Sequence, residues 1–184
     1  MNSLRSEYMH PSDSLKATKF ELLPGGIAVV TLDRPSALNS LSAALNFEVE
    51  HHFKWCDLAS EVRAVILTGN PESKTRRGQT IFSAGADLAP EDGGGAFSGD
   101  KRSSAPASEG EAAKPSPAAT HRDGGGLLSL AINRCRKPVI AAINGTAVGG
   151  GLSPTLAADI RIVSDSAQLG FVFARRGIVP EAAC

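Results

Sequence analysis

The 184-residue chain balances 19 Lys and Arg against 19 Asp and Glu, and 42% of its residues are hydrophobic. Zero net charge excludes a broad polyanion binder, whose affinity needs an excess of clustered cations, and the apolar content excludes a disordered chain. No apolar run reaches the roughly 18–20 residues of a membrane span, no secretory leader opens the chain, and Cys56, Cys135 and Cys184 are too scattered for a disulfide framework or a zinc cluster, so an intracellular protein without nucleic-acid, membrane or metal partners is expected.

Residues 1–15 are polar and patternless and predict a loose arm ahead of a core over 16–184. Ile27 to Asp33 (IAVVTLD), preceded by Pro24-Gly25-Gly26, predicts a strand. Arg34-Pro35 breaks it, and Ser40 or Ser42 can cap a helix whose apolar positions Leu45, Val49 and Phe53 recur every four residues. Val62 to Thr68 predicts a second strand, which makes a βαβ unit with parallel strands. Ile81-Phe82 is a third short apolar piece. From Pro90 to Gly126, 24 of 37 residues are Gly, Pro, Ser or Ala, with Phe97 the only large hydrophobe. Such a segment buries too little apolar area to offset its ordering entropy and predicts a mobile insertion. Leu127 to Arg136 predicts a helix with Leu127, Leu128, Ala131 and Ile132 facing inward, stopped by Pro138. Val139 to Ile143 predicts a strand, Gly149-Gly150-Gly151 opens a short helix through Ala158, and Asp159 to Ser164 predicts one more strand. Alternating β and α units give an α/β fold.

Glycine placement carries the first chemical signal. Ser83 to Asp87 and Val148 to Leu152 each follow an apolar strand and contain glycine, which lets a backbone approach a ligand closely. Helix starts present unpaired N–H groups with partial positive charge, and two such groups side by side would form an oxyanion hole. A P-loop and a nucleophile elbow are both absent from the sequence. His51 and His52 are adjacent, so they cannot share a helix face as metal ligands, and they read as a partly exposed pair.

Four segments in order carry a resemblance: Asp33-Arg34-Pro35 with Ala37-Leu38-Asn39-Ser40-Leu41; Phe82-Ser83-Ala84-Gly85-Ala86-Asp87-Leu88; Asn144-Gly145 with Ala147 and Gly149-Gly150-Gly151; and Ala158-Asp159-Ile160-Arg161. Together they resemble the enoyl-CoA hydratase/isomerase (crotonase) family from about Phe20 onward, apart from the insertion. The resemblance implies a crotonase-like ββα spiral that binds acyl-CoA thioesters, with coenzyme A entering as part of the substrate and no separate cofactor. It implies that the backbone N–H groups of Ala86 and Gly150 stabilise a thioester enolate. Ser36, Ala37 and Leu38, with Ala84, Ala86, Asp87 and Leu88, would form the coenzyme A wall, and Arg34 is a candidate phosphate contact. A homotrimer or hexamer is implied too, although the helical C-terminal trimerisation region of the family is missing from this sequence.

The family's two hydratase glutamates fall at Ser153 and Phe173 here, so the usual water-activating pair is absent. Glu181 stands where the dienoyl-CoA isomerases of the family place a catalytic aspartate, and a single mobile carboxylate suffices to move a proton between two carbons. Double-bond isomerisation with Glu181 as shuttle is therefore expected. The alternatives are a non-catalytic thioester binder and a serine hydrolase using Ser153.

Overall fold

The computed structural model describes residues 15–88, 123–177 and 180. β1 (Thr18–Leu23) and β2 (Ile27–Leu32) form an antiparallel hairpin through Gly25 and Gly26, whose φ angles of 87° and 81° suit glycine. Ser42 then caps α1 (Ala43–Leu58): its side chain accepts the Leu45 N–H at 3.2 Å. The chain returns as β3 (Ala64–Gly69), parallel to β2 with Val30 opposite Leu67, so the expected βαβ unit is present.

β4 (Ile81–Ser83) leaves this sheet, α2 (Gly124–Arg134) crosses back, and β5 (Val139–Ile143) pairs parallel to β3. β6 (Thr146–Val148) follows, then β7 (Ile160–Val163) along β5 and β8 (Leu169–Gly170) along β6. The large sheet therefore runs β1-β2-β3-β5-β7 and a small parallel sheet runs β4-β6-β8. Strand alternation puts Ala28, Val30 and Leu32, Val65 and Leu67, and Val139, Ala141 and Ile143 into one core with Leu45, Val49, Phe53, Cys56, Leu128 and Ile132 from the helices. Among the described residues no helix is long and apolar enough to cross a membrane.

Four expectations change. β1, an edge strand, lies where no strand is predicted, although Lys19, Phe20, Glu21 and Leu22 alternate polar and apolar as a half-buried strand does. The predicted insertion is too long at its end: Gly124 to Gly126 form the first turn of α2, capped by the Asp123 carboxylate. Glycine is tolerated there because a Cβ on Gly124 would stand 2.9 Å from Asn46 Nδ2, so α2 approaches α1 through it. The helix expected from Gly149 to Ala158 is a pair of 3₁₀ turns, Gly149–Gly151 and Ser153–Ala157. Its closing bonds span three residues, from Leu152 to Gly149 and from Thr155 to Leu152, and Pro154 lacks the N–H that an α-helix would use.

The fourth change concerns His52, which is fully buried rather than half exposed. The Glu48 carboxylate accepts the N–H groups of Lys16 and Ala17 at 3.1 and 2.9 Å and the Thr18 hydroxyl at 2.8 Å. The Thr18 oxygen lies 2.7 Å from His52 Nε2. With its own proton given to Glu48, Thr18 accepts from Nε2–H, which fixes the tautomer of the neutral imidazole. Burial, with His51 adding repulsion, pulls the His52 pKa down to about 3. The expected arm over residues 1–15, apart from Leu15, and the body of the insertion lie outside the described residues.

Candidate active site

β4 and β6 are parallel neighbours, with Ile81 opposite Thr146 and Ser83 opposite Ala147. Both therefore end at the same edge of the small sheet, and the two glycine-bearing segments leave that edge side by side. Gly85 takes φ +95°, and a Cβ there would lie 2.9 Å from the Val148 carbonyl oxygen and 3.8 Å from the Gly150 nitrogen. A Cβ on Gly151 would lie 2.4 Å from Ser83 Oγ. Glycine is the only residue that lets the two backbones come this close.

Ala86 bridges to Leu41 in parallel fashion: Leu41 N–H donates to Gly85 O at 2.8 Å, and Asp87 N–H donates to Leu41 O at 3.0 Å. The peptides flanking Ala86 are thus spent on Leu41, while the period-2 alternation of extended chain turns the N–H of Ala86 itself the other way. Gly150 lies in the opening turn after β6, where N–H groups have no earlier carbonyl to bond. Among the described residues, neither the Ala86 nor the Gly150 N–H has an acceptor. Two neighbouring backbone donors at the mouth of two parallel strands can receive one oxygen carrying negative charge.

The segment Arg34 to Leu41 forms the adjoining wall. Ser36 is exposed, Ala37 and Leu38 are half-buried, and Ala84 and Leu88 face solvent across from them. Leu38 and Asn39 both take φ 52°, a left-handed conformation costing about 1–2 kcal/mol for a side-chain-bearing residue. Asn39 holds that turn. It is fully buried, its Oδ1 accepts the Arg34 N–H at 3.0 Å, and its Nδ2 donates to Ile81 O at 3.3 Å and Phe82 O at 3.1 Å. Ser83 Oγ donates to the Asn39 carbonyl at 2.8 Å. The sequence reading attached no role to Asn39 or Ser83. The available signal was an asparagine beside a leucine in a loop, since asparagine tolerates this conformation and bonds nearby backbone.

Other expectations resolve differently. Arg34, a candidate phosphate contact, turns its Nη1 inward, donating to Ser40 O at 2.7 Å, to Ser40 Oγ at 3.2 Å and to Asp87 Oδ2 at 2.8 Å. Ser153 is buried and its hydroxyl donates to Gly149 O at 3.2 Å, which leaves it placed as a turn brace. The two described histidines lie on α1, with His52 bonded to Thr18, so neither is engaged with Ser153. Phe173 is buried, with ring atoms 3.7 and 3.9 Å from where a Gly149 Cβ would be. Glu181 lies outside the described residues. Among those residues no cluster of three or more His, Cys, Asp or Glu could hold a metal ion.

The family model for enoyl-CoA hydratase/isomerase matches residues 23–109 and 99–184, and the chain belongs to that family. It is 39% identical over 158 residues to an enoyl-CoA hydratase of Alternaria alternata, covering 86% of this chain and 44% of the relative. It is 36% identical over 170 residues to the carnitinyl-CoA dehydratase of Escherichia coli K12, covering 92% of this chain and 53% of that one. An enoyl-CoA hydratase structure from Bacillus anthracis superposes with a TM-score of 0.65 at 27% identity, covering 91% of this chain and 55% of the other. Pseudomonas aeruginosa DspI superposes with a TM-score of 0.66 at 29% identity, covering 93% and 58%. The fold is thus that of the crotonases, and the chain spans about half the length of the relatives it matches.

Proposed function

We propose that the chain acts on acyl-CoA thioesters by stabilising a thioester enolate between the N–H groups of Ala86 and Gly150, and that its reaction is double-bond isomerisation. The observation that supports this reading is the close packing of Gly85, the neighbour of Ala86, against Val148 and Gly150, with no acceptor for the Ala86 or Gly150 N–H among the described residues. Removing a proton from the carbon next to a thioester moves an electron pair onto the carbonyl oxygen, and each preorganised donor in comparable sites is worth about 3–4 kcal/mol.

Hydration needs one group to activate water and a second to protonate carbon. The positions at which those carboxylates are expected hold Ser153, bonded to Gly149, and Phe173, an apolar ring. Isomerisation asks less. One carboxylate, Glu181, takes the C2 proton of a 3-enoyl-CoA. The resulting dienolate holds its charge on the thioester oxygen, and the same proton returns at C4 to leave a 2-enoyl-CoA. No water is consumed. The coenzyme A portion would lie along Ser36, Ala37 and Leu38 and along Ala84, Ala86, Asp87 and Leu88.

The relatives are an enoyl-CoA hydratase and a carnitinyl-CoA dehydratase, so the test must separate isomerisation from hydration. Incubation with a 3-enoyl-CoA, followed by mass spectrometry, should give the 2-enoyl isomer without a gain of 18 mass units. A 3-hydroxyacyl-CoA product would replace isomerisation with hydration. Coenzyme A binding without any product would make the chain a thioester binder. Glu181→Gln should abolish turnover and leave binding intact; unchanged turnover removes Glu181 from the mechanism.

A further inference from the structure

We infer that Arg34 is a positioning residue for the oxyanion hole: by gripping Ser40 and Asp87 at once, it holds the Ala86 N–H in place and neutralises the carboxylate beside it. This inference rests on the acyl-CoA reading above.

The geometry begins with one nitrogen. Nη1 of Arg34 meets the Ser40 carbonyl at 2.7 Å and the Asp87 carboxylate at 2.8 Å, joining two segments 53 positions apart in sequence. The pair is not a loose surface contact, since the side chains are only 22% and 12% exposed. Its ends sit at meaningful places. Asp87 directly follows Ala86, and Ser40 directly precedes Leu41, whose N–H and C=O hold the peptides on either side of Ala86. Rotation of the Ala86 peptide would break the Leu41 ladder on one side and the Arg34 grip on the other.

The loop carrying Arg34 is itself held under tension. Leu38 and Asn39 both take the left-handed conformation, and the turn closes through Asn39 N–H to Arg34 O at 2.9 Å and Arg34 N–H to Asn39 Oδ1 at 3.0 Å. Strain of this kind persists only where surrounding contacts over-determine the backbone. The Arg34 guanidinium supplies such contacts between the strained turn and the segment bearing Ala86.

Charge supplies the second part. A carboxylate one residue from a donor meant for an enolate oxygen opposes the negative charge that develops there. The Arg34 cation at 2.8 Å cancels it. Loss of Arg34 should therefore weaken enolate binding more than binding of the uncharged coenzyme A thioester.

Acetoacetyl-CoA separates these effects. Its C2–H bond breaks near neutral pH without a protein base, the proton goes to solvent, and the electron pair spreads onto oxygen with a distinct ultraviolet band. The wild type should bind this probe as the enolate and shift that ionisation toward lower pH. Arg34→Met should lose enolate affinity at least tenfold while affinity for coenzyme A stays within twofold. Arg34→Met with Asp87→Asn should recover part of the loss, because a negative charge beside the donor is gone. Should Arg34→Met not fold, Arg34→Lys, with one point charge and no fork, decides the matter by the same readout. An Arg34 variant that keeps the full enolate shift, or loses enolate and coenzyme A affinity in equal proportion, overturns the role of Arg34 alone. A wild type that binds coenzyme A with no enolate shift overturns the oxyanion-hole reading, and the role of Arg34 falls with it.

Discussion

Gly151 lies so close to Ser83 that a single methyl group on it would stand 2.4 Å from the serine oxygen and 2.8 Å from its carbonyl. The contact sets the spacing between the two glycine-bearing segments. Gly151→Ala should push them apart. Overpacking costs about 1–3 kcal/mol, and a displacement near 1 Å at a reacting centre can cost roughly 10²-fold in rate. Thermal unfolding and acyl-CoA turnover together check this; a variant as active as the wild type would show that the spacing does not govern the chemistry.

Acid should weaken the fold through His52. Its imidazole takes up a proton near pH 6.5 in the unfolded chain but only near pH 3 when folded. The unfolded state therefore holds the extra proton in that window, so this contribution to stability is complete above pH 6.5 and declines as the pH falls toward 3. The slope from this one group is at most about 1.4 kcal/mol per pH unit. Urea unfolding between pH 4 and 7 should show a steeper decline for the wild type than for His52→Gln; parallel curves would contradict the assignment.

Cysteine chemistry should divide the two described thiols. Cys56 is buried on the core side of α1, and burial pushes its pKa up to about 12, which leaves on the order of 10⁻⁴ as thiolate at pH 8. Cys135 is half-buried, and burial also raises its pKa. Iodoacetamide on the folded protein at pH 8 should leave Cys56 unmodified and alkylate Cys135 slowly; peptide mass spectrometry reads both sites. Rapid labelling of Cys56 in the folded state would contradict its burial.

Ser153 should prove dispensable for chemistry. Its hydroxyl bonds the Gly149 carbonyl, so Ser153→Ala should cost about 1 kcal/mol of stability and leave turnover within a few-fold. A fluorophosphonate probe should not label it, and an adduct on Ser153 would restore the serine-hydrolase alternative.

The parts legible in the sequence were those with strong local signals. Val139 to Ile143 is a β-branched run behind a proline, and it forms a strand with the bounds expected. The four-residue spacing of Leu45, Val49 and Phe53 announced α1, and all three are buried. What escaped depended on partners distant in sequence. β6 and β8 have three and two residues, too short for any pattern, and exist because β4 lines up beside β6 and β6 beside β8. Gly124 to Gly126 looked like linker because glycine disfavours helices, whereas packing against Asn46 decides their state. At the site, the family resemblance implied Ala86 and Gly150, while the pairing of Arg34 with Asp87 follows from a fold that joins positions 34 and 87.

The pairing of β3 with β5 bears on how the protein acquires its shape. Thr68 Oγ1 reaches the Ala142 carbonyl at 2.9 Å across 74 positions of chain. The hairpin of β1 with β2 and the neighbouring α1 and β3 can close through short excursions, but the β3–β5 seam must wait for a long one, and such non-local seams slow folding. Ala86 lies within that excursion and Gly150 beyond it. After dilution from denaturant, helical circular dichroism should therefore recover ahead of acyl-CoA turnover, because β4 and β6, which lead to Ala86 and Gly150, also pair across that long excursion.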